Sequence, residues 1–404
     1  MGQMYLHNPS PFFLLTRFFN ALIGTITLYP LKKIVDEMEE IKKPLLPLLL
    51  YALAPFPVEV SHYATVDTLL TFLISVSLYF ILRASKRGDK KDYFWGAVFC
   101  GMAGAVKYPG FLLLFPLLFS LLHNRKYHLL AFLLLPFLIF FLLSPYSILD
   151  FSAFKRDTGK LLTFSHSGWE GASNPLIYLK TMFIGVGPLV FIFFLIGFII
   201  SKKNFLNFLL LSFLSIYLIL FLSSKLCFAR FILPLFPLMS IYSAIGFENL
   251  CKKEKILLLI LFPNIVFVFL YDFYLPLSDP RTLALQWVYK NIPPGSKIAV
   301  ERYTPPLNVV PGYVEWRVRK GIYEVLPVNH YWSMEKFMQK GVEYIVISEV
   351  MYKRWSKKKE GWKFYQELER KGELVKYFPS PKLWFGLEFE KPWIKIYRLK
   401  RKGG

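Results

Sequence analysis

The feature that most constrains this chain is a repeated alternation of long apolar runs with short clusters of lysine and arginine. Up to residue 276 the gaps between basic clusters hold roughly 20 apolar residues, about the length of helix that crosses a hydrocarbon core. The composition agrees, because 55% of the 404 residues are hydrophobic and 18% are aromatic, too apolar for a water-soluble globule. The sequence therefore predicts an α-helical polytopic membrane protein.

Ten apolar runs are predicted as membrane spans. They lie near residues 11–29, 44–60, 66–83, 93–106, 109–122, 128–146, 181–200, 204–222, 231–247 and 256–273. The basic clusters between alternate spans assign five loops to the cytoplasm by the positive-inside rule. The run 93–122 is too long for one span but has basic flanks at both ends, so it is predicted to form a hairpin of two short helices. Its tip, at residues 107–110, carries the proline and glycine that suit a turn.

From residue 277 the composition changes to alternating polar and apolar segments, which predicts a small α/β domain at 277–404 after a membrane domain at 1–276. The charge topology places this domain outside the cytoplasm. Its basic residues outnumber its acidic ones, which would draw it toward anionic lipid headgroups; a solvated Lys/Glu-rich surface is the alternative. The predicted elements are a helix from Asp279-Pro280, strands at 297–300 and within GVEYIVISE, helices from Ser333 and over 362–371, and a strand at 394–399.

Charged and polar side chains at the ends of the predicted spans concentrate on the outer side. Such residues are costly in lipid and indicate a functional site. A cluster of three or four cations there would neutralise a phosphate group, and at that depth a lipid phosphate is the natural anion. For Arg17 and Lys180 the alternative is that they extend to the interface without binding anything. The predicted set is Arg17, His62, Asp67, Lys107, Lys225 and Arg230.

Asp67 and His62 also have structural alternatives. An aspartate directly before an apolar run can cap the helix that follows, and an interfacial histidine often only satisfies its hydrogen bonds. The external loop TFSHSGWEGASNP contributes His166, Trp169 and Glu170, a combination that suits a sugar surface, although an interfacial tryptophan is an equal alternative. The sequence thus predicts a substrate loop beside the charged site.

No metal, cofactor or nucleic-acid partner is predicted. The three cysteines, Cys100, Cys227 and Cys251, are scattered without paired spacing, so the sequence suggests neither a zinc site nor a disulfide framework. The expected partners are therefore membrane lipids and the substrates themselves.

Several segments together resemble a known family. RFFNALIGTITL, SHYATVDTLLTF, GMAGAVKYPGFLLLFPLL, SPYSILDFSAFKRD, HSGWEGASNP and ARFILPLFPLMS are similar, in order and spacing, to segments of GT-C class membrane glycosyltransferases. The group they resemble is the dolichyl-phosphate-mannose protein mannosyltransferase and aminoarabinose transferase superfamily. The resemblance runs over most of the chain, and each motif alone is short and apolar.

The resemblance implies a GT-C-like bundle that uses a sugar on a polyprenyl phosphate at the outer face of the plasma membrane. A protein, lipid or glycan hydroxyl would be the acceptor. It implies that Lys107 and Arg230 bind the lipid phosphate, with Arg17 and Lys225 as further candidates. Asp67 and His62 would be the catalytic residues that organise the site.

One departure from the family concerns the general base. In the family it is usually an aspartate in the first external loop, which follows an N-terminal span, and residues 1–10 contain no acidic residue. We therefore expect the chain to be an N-terminally shortened form, in which Asp67 would have to substitute as base.

Two other functions remain open from the sequence. A polyprenyl-lipid flippase or solute transporter would use a similar set of spans, but the midplane charges and internal repeats typical of transporters are absent from the sequence pattern. A catalytically inactive relative would keep the fold and bind partners through its external domain.

Overall fold

The computed structural model describes residues 10–163, 174–224, 227–251, 255–307, 322–328, 331–356, 358–381 and 391–399. The chain divides into two compact units, a helical unit formed mainly by residues 10–271 and a C-terminal unit formed mainly by residues 272–404. The predicted boundary lay at residues 276 and 277.

The helical unit consists of α-helices and short 3₁₀ helices. The α-helices are α1 (Ser10–Ile26), α2 (Leu28–Glu37), α3 (Leu45–Ala52), α4 (Pro55–Ser61), α5 (Asp67–Arg87), α6 (Lys90–Val106), α7 (Leu114–His123), α8 (Leu135–Leu143), α9 (Tyr146–Leu149), α10 (Phe151–Thr163), α11 (Asn174–Gly185), α12 (Pro188–Ile200), α13 (Phe205–Ser223), α14 (Phe236–Leu250) and α15 (Lys255–Tyr274). The 3₁₀ helices are Tyr108–Leu113, Tyr127–Leu133 and Ala229–Leu235.

Within the described residues, five helices are long and apolar enough to cross a membrane, and a sixth span results if one bent pair is counted. The number of ten spans therefore stays a prediction. The five helices are Pro11–Glu37, Asp67–Arg87, Phe205–Ser223, Ala229–Leu250 and Lys255–Tyr274.

The run 44–60 was predicted as one span, but the structure divides it into α3 and α4. The cause is local: Pro55 disfavours helical geometry at the residue before it, and Ala54 is extended, with φ −70° and ψ 124°. Pro55 is the first residue of α4, a position at which the backbone N–H has no partner within the helix, so the missing N–H of proline loses no hydrogen bond.

The run 181–200, also predicted as one span, is bent by 105° between α11 and α12. Gly187 lies at the bend with φ +95°, a conformation that favours glycine. Lipid offers no hydrogen bonds to backbone groups released by such a break. The buried Asn264 side chain on α15 donates to the Val186 carbonyl at 2.8 Å, so the bend is satisfied by a side chain from another helix.

The C-terminal unit is a five-stranded mixed sheet with helices on both faces. Its strands are ordered β2-β1-β3-β5-β4; β1 pairs in parallel with β2 and β3, and β5 pairs antiparallel with β3 and β4. The elements are α16 (Pro280–Asn291), β1 (Lys297–Val300), β2 (Glu324–Pro327), α17 (Met334–Gln339), β3 (Tyr344–Ser348), α18 (Glu349–Trp355), α19 (Lys359–Lys371), β4 (Gly372–Phe378) and β5 (Ile394–Leu399).

Two apolar layers cover the sheet. Ala284 and Val288 of α16 pack with Ile298 on one face, whereas Phe337 of α17 and Leu368 of α19 pack on the other. The alternation of side chains along each strand supplies both layers. The small α/β fold predicted for this region is confirmed, and the final strand has the predicted bounds.

Glu301, directly after β1, is buried in this unit. Its Oε1 accepts a hydrogen bond from the Tyr365 hydroxyl at 2.6 Å, and its Oε2 accepts one from the Ser348 N–H at 2.9 Å. Burial away from water raises the pKa of the Glu301 carboxyl from 4.5 to about 8, although both hydrogen bonds oppose the rise. This carboxyl group is therefore largely protonated at neutral pH.

Candidate functional site

Asp67 is the first residue of α5, and its side chain is almost completely buried. Lys107 Nζ lies 2.7 Å from Asp67 Oδ1, and Arg230 Nε lies 3.4 Å from Asp67 Oδ2. These three residues come from distant parts of the chain, so the fold brings together the carboxylate and the two cations that the sequence analysis singled out. We call Asp67, Lys107 and Arg230 the charged cluster.

The hairpin between α6 and α7 positions Lys107. α6 ends at Val106, and Lys107 is extended, with φ −162° and ψ 132°, before the 3₁₀ helix Tyr108–Leu113 begins. Gly110 packs against the backbone of Ala103, where a Cβ atom would come within 2.3 Å of the Ala103 carbonyl carbon. Because only glycine allows this approach, Gly110 closes the turn and holds Lys107 at the predicted tip.

The 3₁₀ helix Ala229–Leu235 positions Arg230. The Tyr217 hydroxyl of α13 donates to the Phe231 carbonyl at 3.0 Å, which fastens this segment to the bundle. Lys107 Nζ lies 3.8 Å from the centre of the Phe231 ring, and the Arg230 guanidinium lies 4.6 Å from that of Phe228. Aromatic faces attract cations, so the rings stabilise the two positive charges in the cluster.

The charges of the cluster do not cancel. One carboxylate faces two cations, and both of its oxygens are engaged. The Asp67 side chain is 2% exposed, whereas those of Lys107 and Arg230 are 23% and 24% exposed. The three side chains together carry a net positive charge, and the atoms that solvent can reach belong to the two cations. This arrangement favours an anionic ligand.

Asn20 of α1 holds the segment that precedes Asp67, and sequence reasoning did not identify it. Its buried side-chain amide donates to the carbonyl oxygens of Val60 (3.3 Å) and Tyr63, and to the Thr68 hydroxyl at 3.1 Å. The sequence feature that could have identified Asn20 is its position as a single asparagine in an apolar span, where a polar side chain needs hydrogen-bond partners.

His62 lies in the same segment, and Arg17 of α1 contacts it. His62 Nδ1 lies 2.7 Å from the Val58 carbonyl oxygen, so we assign the hydrogen to Nδ1 and an acceptor lone pair to Nε2. Its ring packs edge-on against Tyr271. The Arg17 guanidinium lies over the Tyr63 ring at 5.7 Å. Their predicted roles stay predictions.

Four predicted site residues lie outside the described residues. They are Lys225 of the phosphate-binding set, and His166, Trp169 and Glu170 of the substrate loop. For metals, no group of three or more His, Cys, Asp or Glu side chains suited to an ion occurs among the residues that the structure describes.

A groove with a volume of about 360 Å³ lies beside the hairpin tip, between Tyr108 and helices α9 and α10. Sequence reasoning did not predict it, because its lining combines residues that are some 40 positions apart. We call it the Tyr108 groove; its polar and aromatic lining comprises Tyr108, Tyr146, Ser147, Asp150, Phe154, Asp157 and Thr158.

The sequence matches a known family model over residues 13–149, described as dolichyl-phosphate-mannose-protein mannosyltransferase. The matched region is about a third of the chain and includes Asp67 and Lys107, whereas Arg230 lies beyond it. Comparison with curated proteins finds no significant match to the sequence.

The fold is similar to those of two solved membrane proteins. One is ArnT from Cupriavidus metallidurans in the apo state, with a TM-score of 0.53 and 13% identity over 94% of this chain and 83% of that chain. The other is the archaeal oligosaccharyltransferase AglB from Archaeoglobus fulgidus, solved with an inhibitory peptide and a dolichol-phosphate. Its TM-score is 0.50, with 12% identity over 96% of this chain and 63% of AglB. At these identities the likeness establishes the fold.

Family match and fold agree with the resemblance found in the sequence. The chain is a multi-pass membrane protein whose residues 13–149 match a mannosyltransferase family model and whose fold is similar to those of ArnT and AglB.

Proposed function

We propose that this PMT/ArnT-like chain transfers a sugar from a polyprenyl-phosphate-linked donor to an acceptor hydroxyl at the outer face of the plasma membrane. The observation that carries the proposal is the charged cluster, in which Lys107 and Arg230 converge on the buried Asp67. Two relatives in fold support it: ArnT is a GT-C transferase, and AglB was solved with a dolichol-phosphate.

The charge of the reaction fits this cluster. A sugar phosphodiester carries one negative charge, and the lipid phosphate that leaves carries up to two. Cations fixed in advance at the leaving oxygen therefore interact more strongly with the transition state than with the bound donor. Asp67 holds both cations in place before the donor arrives, so little reorganisation is needed when the charge develops.

The bond changes follow. The acceptor oxygen forms a bond to the anomeric carbon, and the bond from that carbon to the phosphate oxygen breaks with its electron pair on the phosphate. The acceptor proton passes to a general base. His62 is the candidate, because its Nε2 carries a lone pair when Nδ1 donates to the Val58 carbonyl. Asp67 acts as a positioning residue, since both of its oxygens are engaged by cations.

A lipid-phosphate titration tests the cluster. Undecaprenyl phosphate is added to the detergent-solubilised protein, and its affinity is measured from the rise in melting temperature. We expect Lys107→Gln and Arg230→Gln each to weaken binding about tenfold or more, equivalent to ~1.4 kcal/mol. The matched control is Lys255→Gln, which removes an exposed lysine at the start of α15.

Transfer is then tested with a radiolabelled polyprenyl-phosphate mannose and a membrane extract as acceptor source. The proposal expects label to leave the lipid in detergent, where no transbilayer movement exists, and to do so more slowly in both variants. If the protein instead only moves the intact lipid-sugar across proteoliposome membranes, it is a flippase. Full transfer by both variants would show that the cluster does not serve the reaction.

A further inference from the structure

The Tyr108 groove shares the hairpin tip with the charged cluster. Tyr108 lines the groove and directly follows Lys107, whose Nζ contacts Asp67. Because consecutive Cα atoms are about 3.8 Å apart, the two sites lie next to each other: Lys107 contacts the charged cluster, and Tyr108 lines the groove. The groove volume of about 360 Å³ falls within the range of small-molecule sites.

The lining charge of the groove is opposite to that of the cluster. Its two charged lining residues among those described are Asp150 and Asp157. Asp150 Oδ1 accepts the Ala153 N–H at 3.0 Å at the start of α10. Asp157 Oδ1 lies 3.0 Å from Arg156 Nε and 3.7 Å from Lys160 Nζ.

The exposed Arg156 donates to Asp157 and lowers the pKa of that carboxyl group, so it remains ionised at neutral pH. Ionised carboxylates only accept hydrogen bonds. The two carboxylates can therefore accept hydrogen bonds from a ligand that is rich in hydroxyl donors.

Two tyrosines, together with Phe154 and Ala153, form the apolar part of the lining. Tyr108 and Tyr146 are 43% and 77% exposed and present ring area to the groove. The face of an aromatic ring is negative and attracts polarised C–H groups. Ser147 and Thr158 add hydroxyl groups that both donate and accept.

We infer that the Tyr108 groove binds the acceptor of the proposed reaction and that this acceptor is an uncharged saccharide. A sugar ring offers a C–H face to the tyrosines and a rim of hydroxyls to the carboxylates. An extended peptide is recognised chiefly through its backbone, on a sheet edge or in a groove that reads it as a strand or helix, and the groove offers side chains instead. The inference rests on the proposed function for the role of the bound sugar, but not for the binding itself.

A cysteine-protection experiment tests the binding without any lipid donor. Thr158→Cys places a thiol in the groove of the full-length protein. Cys251→Ser removes the one native cysteine that is not buried, since Cys100 and Cys227 are buried. The rate of maleimide labelling at position 158 is measured in detergent, alone and with high concentrations of mannobiose, maltose, cellobiose or lactose. At least one disaccharide should slow labelling about threefold, as two-thirds occupancy would.

The aspartates are tested in the same background. Asp150→Asn with Asp157→Asn should abolish the protection, measured as the ratio of the labelling rates with and without sugar in the same variant, because removing carboxylates beside the thiol also changes the sugar-free rate. Asparagine at position 150 still caps α10. The matched control is Asp89→Asn, an exposed aspartate that precedes α6, and it should keep full protection.

Three results would overturn the inference: no protection by any of the four disaccharides, stronger protection by glucose 1-phosphate or by a serine-containing peptide, or undiminished protection in the double asparagine variant. The proposed function fails separately. If Lys107→Gln and Arg230→Gln keep full transfer while disaccharides still protect position 158, the donor site is wrong and the groove stands.

Discussion

Each of the two units contains a buried carboxyl group at the end of a secondary-structure element, and the two differ in what surrounds them. Asp67 begins α5 and faces Lys107 and Arg230. Glu301 follows β1 and receives hydrogen bonds from Tyr365 and the Ser348 N–H. A buried carboxylate is tolerated when cations compensate it, whereas one held by neutral donors is more stable as the acid. Burial alone therefore does not identify a charged site; the partners decide.

The largest expected effect concerns Glu301 and pH. Its pKa is raised from 4.5 to about 8, so between these values the folded unit holds a proton that the unfolded chain has lost. The contribution of Glu301 to the free energy of unfolding is fully present below pH 4.5. It is lost as the pH rises through 8, and the loss is on the order of 5 kcal/mol. Hydrogen exchange of 272–404 in the full-length protein, corrected for intrinsic rates, should show this loss.

Glu301→Gln should flatten that pH dependence, because glutamine keeps the carbonyl for Ser348 and offers an N–H to Tyr365. Glu335→Gln, an exposed glutamate on α17, is the matched control and should leave the slope intact. An unchanged slope in Glu301→Gln would mean that other groups titrate in this unit.

The second effect concerns Asp67. Asp67→Asn leaves two cations close together without their counter-charge, which should destabilise the helical unit by on the order of 3 kcal/mol. The measurement is the melting temperature in detergent. Undecaprenyl phosphate should raise it more in the variant than in the wild type, since the phosphate supplies the missing negative charge. Equal shifts would show that Asp67 and the phosphate do not share the same cations.

The smallest effect concerns the ring beneath Lys107. Phe231→Leu removes the face that lies 3.8 Å from Lys107 Nζ, a contact worth roughly 0.5–1 kcal/mol at a partly exposed site. Affinity for undecaprenyl phosphate should fall a few-fold, less than the loss in Lys107→Gln. Phe208→Leu, an exposed phenylalanine of α13, should leave that affinity unchanged; a similar loss there would indicate general damage to the bundle.

Sequence reasoning located features whose signals are local. The Asp279-Pro280 helix start, the helix from Ser333 and the tip carrying Lys107 are all found as predicted, and Ser333 caps its helix. Each depends on propensities and hydrogen bonds within a few residues. The choice of Asp67, Lys107 and Arg230 also came from the sequence, through the cost of charge beside lipid, but the distances between them did not.

The features that were missed depend on contacts between distant segments. Asn20 binds Tyr63 and Thr68 more than 40 positions away, and hydropathy gives no indication of that pairing. The bend between α11 and α12 was hidden because both halves are apolar, so a window that averages hydropathy reads them as one span. In the sequence, Asp150 and Asp157 resemble ordinary interfacial charges. Only the fold shows that they line a groove together with Tyr108.

The bend at Gly187 also has a consequence for how the protein is made. α11 and α12 have 12 and 13 residues, each short of the roughly 20 that a helix needs to cross a bilayer. Asn264, which satisfies the Val186 carbonyl, lies 78 residues further along the chain. The ribosome therefore synthesises the α11–α12 segment well before it synthesises Asn264, whose side-chain amide binds the Val186 carbonyl. Biogenesis of this bundle therefore cannot finish helix by helix in order of synthesis; the α11–α12 pair reaches its final state only after α15 has arrived.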